Sequence, residues 1–481
     1  MTEYTRVRLK AKAEIMAAFE ATVDDLLGWA AGNPEEVTLD ECERRMGDLL
    51  SKTANLILPA LVQLIGTGKE TEAPPCPACG EAMRYVGKRP YWHKNRWAAV
   101  QLQRAYYYCD ACGEGLAPLD KRIGLDASGL SCGLLRLNAR LCSGEPFEEA
   151  SGLLDEVCFV TLPPSKCEIE AKQIGAEIIR QQEEAVETAW TKSELPLGQE
   201  VPDTLYVTID GTTVHIREEG WREMKAAAIY DVELAPSTKE EAEPEMQAPC
   251  NKSLGQQYPQ TNYPTGQAHI ISYLARLLDA DHFGPLVWHL AAQQGVEEAK
   301  RVVVLGDGAA WIWNLAQTHF PQAVQIVDWY HASEHVWAAG RALYGEGTEQ
   351  TAKWVQARLD QLWQGDVQGM LRAFQAALQF RPGAQAEIEQ GITYFTNNAH
   401  RMRYAYFRGQ GHHIGSGCVE SACKRVIGAR LKQAGMRWTP EGADQIAALR
   451  ALRLSNDGRW SRFWHHRIPR PRTYTSPKRA A

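Results

Sequence analysis

The sequence predicts an α/β protein: a mixed sheet with helices on both faces, preceded by helical segments and a small cysteine-bearing ribbon. Three observations carry this reading. Apolar residues recur at helical spacing over residues 1–70 and 121–195. Two Cys-x-x-Cys pairs bracket short alternating runs between those stretches. From residue 201 alternating strands give way to a Val-rich run, Arg301-Val-Val-Val-Leu305, of the kind that sits inside a parallel sheet. A chain of 481 residues with 44% hydrophobic residues has enough apolar material for several cores, which excludes global disorder.

In chain order, Ile15, Phe19, Val23, Leu26 and Leu27 mark one early helix, and Leu49 to Ile65 a second. The apolar stretch Leu56–Ile65 is short and interrupted by Pro59 and Gln63, so no membrane span is expected. Nor does the start of the sequence carry the apolar segment of a secretory signal, which predicts a cytoplasmic protein. Cys76-Pro-Ala-Cys79-Gly and Cys109-Asp-Ala-Cys112-Gly then supply four soft thiolates, the donor set that tetrahedral Zn²⁺ prefers, and predict a structural zinc ribbon over 71–120. The strands within it are Met83–Val86, Tyr91–His93 and Gln101–Tyr108. Further helices follow at Cys132–Leu141, Phe147–Val157 and Ser165–Trp190, with Ser165 and Glu168 spaced as a capping box. The break at Thr161-Leu-Pro-Pro-Ser165 gives the outline of a helix-turn-helix DNA reader, an outline shared by any two helices with a short loop.

Beyond residue 201, Thr204–Ile209, Thr213–Arg217 and Met224–Val232 read as strands, the first two joined by a turn at Asp210-Gly-Thr. Residues 231–266 hold five prolines and six acidic groups and read as a mobile loop. A helix over Phe283–Gly295, the strand Arg301–Leu305, a helix over Ala310–His319 and the strand Ala323–Val327 complete the sheet. Residues 332–411 read as a helical, Gln-rich insertion, and a last helix carrying Glu420 begins after Gly415-Ser-Gly417.

Three acids stand at the ends or starts of these elements: Asp210, Asp307 and Glu420. Hard cations such as Mg²⁺ and Mn²⁺ take carboxylate oxygens, and two such ions can clamp the attacking and leaving oxygens of a phosphodiester. Each acid also has a local reading, as a hairpin turn, a strand-ending turn and an i,i+4 partner of Lys424. Directly after a strand stands Asp328-Trp-Tyr-His331, which serves equally as helix-start hydrogen bonding or as support for a metal site, with His335 one turn on as a weaker metal-ligand partner for His331.

Charge adds a partner. The formal net charge of -7 conceals a segment, Arg401 to Ala481, with 17 basic and 4 acidic residues. A smaller excess lies between Cys76 and Cys112. Lys424, Arg425, Arg430, Lys432 and Arg437, with Trp438 among them, form the predicted DNA-binding set, because basic side chains displace counterions from phosphates and aromatic rings stack on bases.

The blocks Val207–Glu233, Leu305-Gly-Asp-Gly-Ala-Ala-Trp-Ile-Trp313 through Glu334-His-Val-Trp337, Ile414-Gly-Ser-Gly-Cys-Val-Glu-Ser421, Arg430-Leu-Lys and Gly435-Met-Arg-Trp438 resemble, in order and spacing, ISKra-type insertion-sequence transposases. The resemblance runs from about residue 201 to 464. It implies a ribonuclease-H-like domain with a DDE triad, here Asp210, Asp307 and Glu420, holding two Mg²⁺ or Mn²⁺ ions. Asp328 and His331 match the C/D-x-x-H signature of Mutator-like transposases, which lies beside the active site. The implied activity is metal-dependent cleavage of transposon-end DNA and strand transfer into double-stranded target DNA, by a nucleoid-associated bacterial protein acting as a dimer or larger homo-oligomer. Two alternatives stay open: a zinc-containing DNA-binding protein without catalysis, and a ribonuclease-H-like nuclease that cuts without joining. The expected organisation is helical over 1–70, ribbon over 71–120, helical and DNA-reading over 121–200, catalytic over 201–331 and 412–465, inserted over 332–411, and a basic tail over 466–481.

Overall fold

A computed structural model describes residues 3–158, 160–192, 202–233, 267–380, 382–415 and 422–471. The chain divides into two compact units, residues 1–173 with 461–481, and residues 174–460.

The first unit opens with two long helices, α1 (Glu3–Gly32) and α2 (Leu39–Ile65). Thr38 starts α2 by accepting the amide of Glu41 at 3.2 Å, which satisfies one of the donors a helix N-terminus leaves unpaired. Ala54, Leu58 and Val62 of α2, spaced by four, lay one face on the ribbon residues Tyr91, Val100 and Leu102. By length and composition α2 would suffice to cross a membrane, alone among the described helices, which the short stretch Leu56–Ile65 did not suggest. The ribbon consists of β1 (Arg84–Lys94), β2 (Ala99–Tyr108) and β3 (Gly115–Leu116), antiparallel in that order. The separate runs read at Met83–Val86 and Tyr91–His93 are thus one strand, kinked by an irregularity between Tyr85 and Gly87.

Short helices α3 (Pro118–Arg122), α4 (Cys132–Cys142) and α5 (Phe147–Val157) follow, then the long α6 (Pro164–Lys192). Ser165 lies inside the first turn of α6 rather than capping it, because Pro164 already occupies a helical position and Pro163 accepts the amides of Lys166 and Cys167. The chain's end returns to this unit. Asp126, nearly fully buried, accepts from Arg467 at 2.9 Å and from Arg470 at 2.7 Å, and Arg470 also reaches Glu170. Two arginines assigned to a basic tail are therefore internal counter-charges.

In the second unit a five-stranded sheet has the order β6-β5-β4-β7-β8, with β4 (Thr204–Ile216), β5 (Gly220–Glu233) and β6 (Gln267–Arg276) antiparallel, and β7 (Arg301–Gly306) and β8 (Val324–Val327) parallel to β4. The mixed sheet is as expected, but its members differ. No turn occurs at Asp210-Gly-Thr: β4 runs through it with Asp210 opposite Ala226, and the hairpin turns instead at residues 217–219, where Glu218 takes φ 66°. The third antiparallel strand, β6, starts at the end of the stretch read as a loop, most of which lies outside the described residues.

Helices α7 (Ala280–Gln293) and α8 (Ala310–His319) connect β6 to β7 and β7 to β8. The insertion is helical throughout: α9 (Trp329–Tyr344), α10 (Glu349–Trp363), α11 (Val367–Phe380), α12 (Gln385–Asn398) and α13 (Tyr404–Gly409). It has its own core, with Val336, Val355, Leu362, Phe374 and Phe395 buried. A π-helical turn, Ala422–Gly428, and α14 (Pro440–Leu454) then pack on one another and on β6. Buried Arg450 of α14 donates to the carbonyl oxygens of Val426, at 2.6 Å, and Arg425, groups that the widened π turn does not pair within itself in the α manner. A final helix, α15, spans Arg459–His466.

Candidate active site and cysteine cluster

The two Cys-x-x-Cys pairs converge. Sγ of Cys76 lies 3.5 Å from that of Cys112, and Sγ of Cys79 lies 3.5 Å from both Cys109 and Cys112. All four fall within 4.8 Å of one another, the one group of three or more potential ligands among the described residues. A tetrahedral ion with Zn–S bonds of about 2.3 Å puts its sulfurs about 3.8 Å apart, so the cluster fits a structural Zn²⁺. Local sequence builds it twice over. Gly80 and Gly113 take φ +79° and +80°, which lets their amides turn back onto the carbonyls of Cys76 and Cys109 at 2.9 Å. The amides of Cys76 and Cys109 pair in the same way with Glu81 and Glu114 at 2.8 Å. Burial would raise the Cys76 thiol, yet the amides of Cys79 and Ala78 and the neighbouring thiols bring it down to about 7. Its fellow Cys112 receives the Glu114 amide but is pushed up to about 12 by the thiols of Cys76 and Cys79. A cation bound among the four sulfurs would displace their protons, since it is the thiolates that act as ligands.

In the second unit the acids gather by register. Thr208 of β4 pairs with Leu305 of β7, and Gly306 of β7 pairs with Val327 of β8. Continuing both ladders sets Asp210, in the middle of β4, level with Asp307 and Asp328, which directly follow the last residues of β7 and β8, with about 4.8 Å between neighbouring strands. Asp210 sits mid-strand, its side chain half-buried, and accepts the amide of Gly211 at 2.7 Å. Burial raises its carboxyl above the usual carboxylate range and the charge of Asp307 adds to that, against lowering by the Cys423 thiol, the Gly211 amide and His331. Of these, Cys423 shares a hydrogen bond with Asp210, while His331 and Asp307 act on it through their charges.

Asp307 is held by its own loop and by the insertion. Its Oδ1 accepts the amide of Ala309 at 2.8 Å. Tyr394 of α12 donates its hydroxyl to the Asp307 carbonyl oxygen at 2.7 Å. Gly308 has φ +106°, and a Cβ there would come within 2.5 Å of the Tyr394 ring. His335 stacks on that ring at 3.8 Å between centroids, an aromatic contact in place of the metal-ligand pair with His331. Asp328 caps α9 by accepting the amides of Tyr330 at 2.6 Å and His331 at 3.2 Å, which is the local reading of the Asp-x-x-His step. His331 lies half-buried, its Nδ1 3.7 Å from Glu334.

Glu420 lies outside the described residues, as does Cys418. Chain continues at Ala422, so the π-helical turn that follows Glu420 brings Cys423 against Asp210. Of the predicted DNA-binding set, Lys424, Arg425, Lys432 and Arg437 are exposed, and Lys432 donates to Thr212 of β4. Arg430 and Trp438, expected in the same set, are instead buried. Arg430 is fully buried with its guanidinium 4.9 Å from the Trp438 ring centroid, and Trp438 donates its indole N–H to the Leu431 carbonyl at 3.0 Å. The backbone of Trp438 also extends the edge of β4, accepting from Arg217 at 2.8 Å. These two form a packed support beneath the basic surface and offer nothing to a phosphate or a base.

Cys423 and Tyr394 were not read from the sequence as parts of the site. A glycine directly after Asp307 was the one local sign that something must approach closely there. No protein-family model matches the chain, and no curated protein matches it.

Proposed function

We propose that this chain is a DNA transposase of the ISKra type, which uses divalent cations to cleave transposon ends and join them to double-stranded target DNA. The observation that carries this reading is the level placement of Asp210, in the middle of β4, with Asp307 and Asp328, which directly follow β7 and β8. The charge of Asp307 helps to raise the Asp210 carboxyl, and a hard Mg²⁺ or Mn²⁺ between the two would relieve that repulsion and suits oxygen donors. A sheet of three antiparallel strands followed by two parallel ones is in keeping with a ribonuclease-H-like domain. Asp210 and Asp307 would hold the metals together with Glu420. Asp328 and His331 would shape the floor beside them.

In chemical terms the ions would activate water for nicking and then a terminal 3′-hydroxyl for joining, and would neutralise the charge that develops on the phosphate. The exposed Lys424, Arg425, Lys432 and Arg437 would carry the DNA backbone past this site. A structural Zn²⁺ on Cys76, Cys79, Cys109 and Cys112 would hold the ribbon in shape for end recognition.

The test is incubation of the full chain and Mg²⁺ with its own flanking DNA, scoring nicked and joined products separately. Both products support transposition. Nicks without joining move the reading to a nuclease, and metal-independent binding with neither product moves it to a zinc-containing DNA-binding protein.

A further inference from the structure

The β1–β2 ribbon turns one face inward and leaves part of the other bare. In an antiparallel pair, residues directly opposite one another share a face, and the faces alternate along each strand. Tyr91 opposite Leu102 and His93 opposite Val100 are buried, and Tyr91, Val100 and Leu102 pack against α2. The alternate pairs, Pro90 with Gln103 and Trp92 with Gln101, therefore face outward. All four are exposed, Trp92 by 62%. Lys88 and Lys94 continue the same face at its two ends, about 20 Å apart at 3.4 Å per residue, and Lys94 also donates to the Thr161 carbonyl oxygen at 2.9 Å. Packing holds this face in place: α2 backs it, and farther along β2 Ala105 and Tyr107 are buried with Met83 in the core around the cysteine cluster.

Charge and shape narrow the partner. From Arg84 to Tyr108 the sequence has six basic residues and no acidic one, within a chain of net charge -7. Arg84 is answered by Asp110 and Arg104 by Asp120, whereas Lys88, Arg89, Lys94 and Arg96 have no ion-pair partner among the described residues. The phosphates of a nucleic acid would supply one. A two-stranded ribbon fits the major groove of B-form DNA, about 12 Å wide, while that of an A-form RNA helix is too deep and narrow for side chains to read. Each outward pair sets a carboxamide beside an apolar group, with Cβ atoms about 5 Å apart. An A·T pair presents the matching features in the major groove. Adenine N7 and N6 take two hydrogen bonds from a glutamine carboxamide, and the thymine methyl takes an apolar contact. A G·C pair has no methyl there and offers guanine acceptors that suit Arg or Lys.

We infer that the outward face of β1–β2 enters the DNA major groove and reads two A·T pairs, one through Gln101 with Trp92 and the other through Gln103 with Pro90. Lys88 and Lys94 hold phosphates at the two ends of the face. This rests on the reading of the chain as a DNA-binding protein and is independent of the metal chemistry proposed for Asp210 and Asp307. It names the residues that give the ribbon a sequence preference, which charge alone does not supply.

The experiment is selection from a random-sequence duplex library by the full chain, followed by affinity measurements on the recovered duplex. The wild type is expected to enrich a site that contains two A·T pairs. In Gln101→Ala with Gln103→Ala the preference at those pairs should disappear. Affinity for the recovered duplex should fall about tenfold to a hundredfold, with affinity for random duplex unchanged. That unchanged baseline, at exposed positions, excludes misfolding as the cause. Deoxyuridine in place of thymidine at the same pairs removes only the methyls. It should weaken the wild type by about threefold to tenfold and Trp92→Ala by less. An enriched site that survives unchanged in the double variant, or a wild type indifferent to the methyls, overturns the inference and leaves DNA binding in place. No affinity for any duplex, or a preference for single-stranded RNA, overturns it together with the DNA-binding reading.

Discussion

The hydroxyl of Tyr394 donates to the carbonyl oxygen of Asp307 at 2.7 Å, across 87 positions of sequence. Nearby, Tyr404 donates to the Val327 carbonyl oxygen at 2.9 Å, so α12 and α13 grip the carboxyl ends of both β7 and β8. The helical insertion is therefore fastened to the loops that present Asp307 and Asp328. Tyr394→Phe removes the hydrogen bond but keeps the ring over Gly308. It should cost about 1–2 kcal/mol in urea unfolding, with a larger proportional loss of DNA nicking. Gly308→Ala should cost more than Tyr394→Phe, because it adds a Cβ 2.5 Å from that ring at φ +106°. Equal stability of Gly308→Ala and wild type would show that the loop is not held in this way.

The acid row makes a second prediction. Asp210→Asn and Asp307→Asn should each abolish metal-dependent nicking while leaving DNA affinity and fold intact. Burial, joined by the charge of Asp307, raises the Asp210 carboxyl, so its neutral form is favoured in the folded protein. The sign follows from that: ionised Asp210 opposes folding as pH rises through its ordinary range, and Asp210→Asn should be at least as stable as wild type at neutral pH. Nicking at the wild-type rate by either variant would remove these residues from the chemistry.

How much of this was legible in sequence depended on distance along the chain. The cysteine cluster was readable because each knuckle is a local turn in which a glycine follows the second cysteine, and the geometry repeats at both pairs. Asp210 was read as a hairpin turn from Asp-Gly, yet β4 continues through it because Ile209, Val214 and Ile216 are all buried on a strand paired along its length with β5. The actual turn, at Arg217-Glu-Glu219, has no glycine until Gly220 and so left a weaker signal. Tyr394 was invisible, since nothing in a Gln-rich helix announces a bond to a residue so distant. Composition misled at Arg430, Arg467 and Arg470: a basic count does not distinguish an arginine on the surface from one buried against Trp438 or Asp126.

Metal removal gives a third prediction. Purified protein should hold one tightly bound zinc, measured by atomic emission, and Cys79→Ser or Cys112→Ser should lose it. Chelation should melt the ribbon first, since its small core of Met83, Ala105, Tyr107 and Leu116 surrounds the cysteines and has little else to stabilise it. Zinc retained in full by both variants would mean that the ion lies elsewhere.

Buried arginine and exposed arginine should separate cleanly in a fourth measurement. Lys424→Gln, Arg425→Gln and Arg437→Gln should each lower the slope of DNA affinity against salt by about one counterion, with little effect on stability. Arg430→Ala should leave that slope unchanged and cost about 2–4 kcal/mol, because it empties the space beside Trp438 and Met436. A lowered slope for Arg430→Ala at unchanged stability would return Arg430 to the surface set.

The last prediction concerns acid. Burial alone would raise the Asp126 carboxyl, but Arg470 and the amides of Ser128 and Arg470 hold it well below the usual carboxylate range. A carboxyl with a depressed folded pKa contributes stability that is complete above its unfolded value, near 3.9, and is lost as pH falls below that toward the folded value. The first unit should therefore keep its stability down to about pH 4 and lose it steeply below, as followed by tryptophan fluorescence. Asp126→Asn should flatten this acid limb. It should also lower stability at neutral pH by about 3–5 kcal/mol, since Arg467, with its side chain 1% exposed, then lacks its buried counter-charge. An acid limb unchanged in Asp126→Asn would assign the acid sensitivity to other carboxylates and make the Asp126–Arg467–Arg470 cluster a minor contributor to the fold.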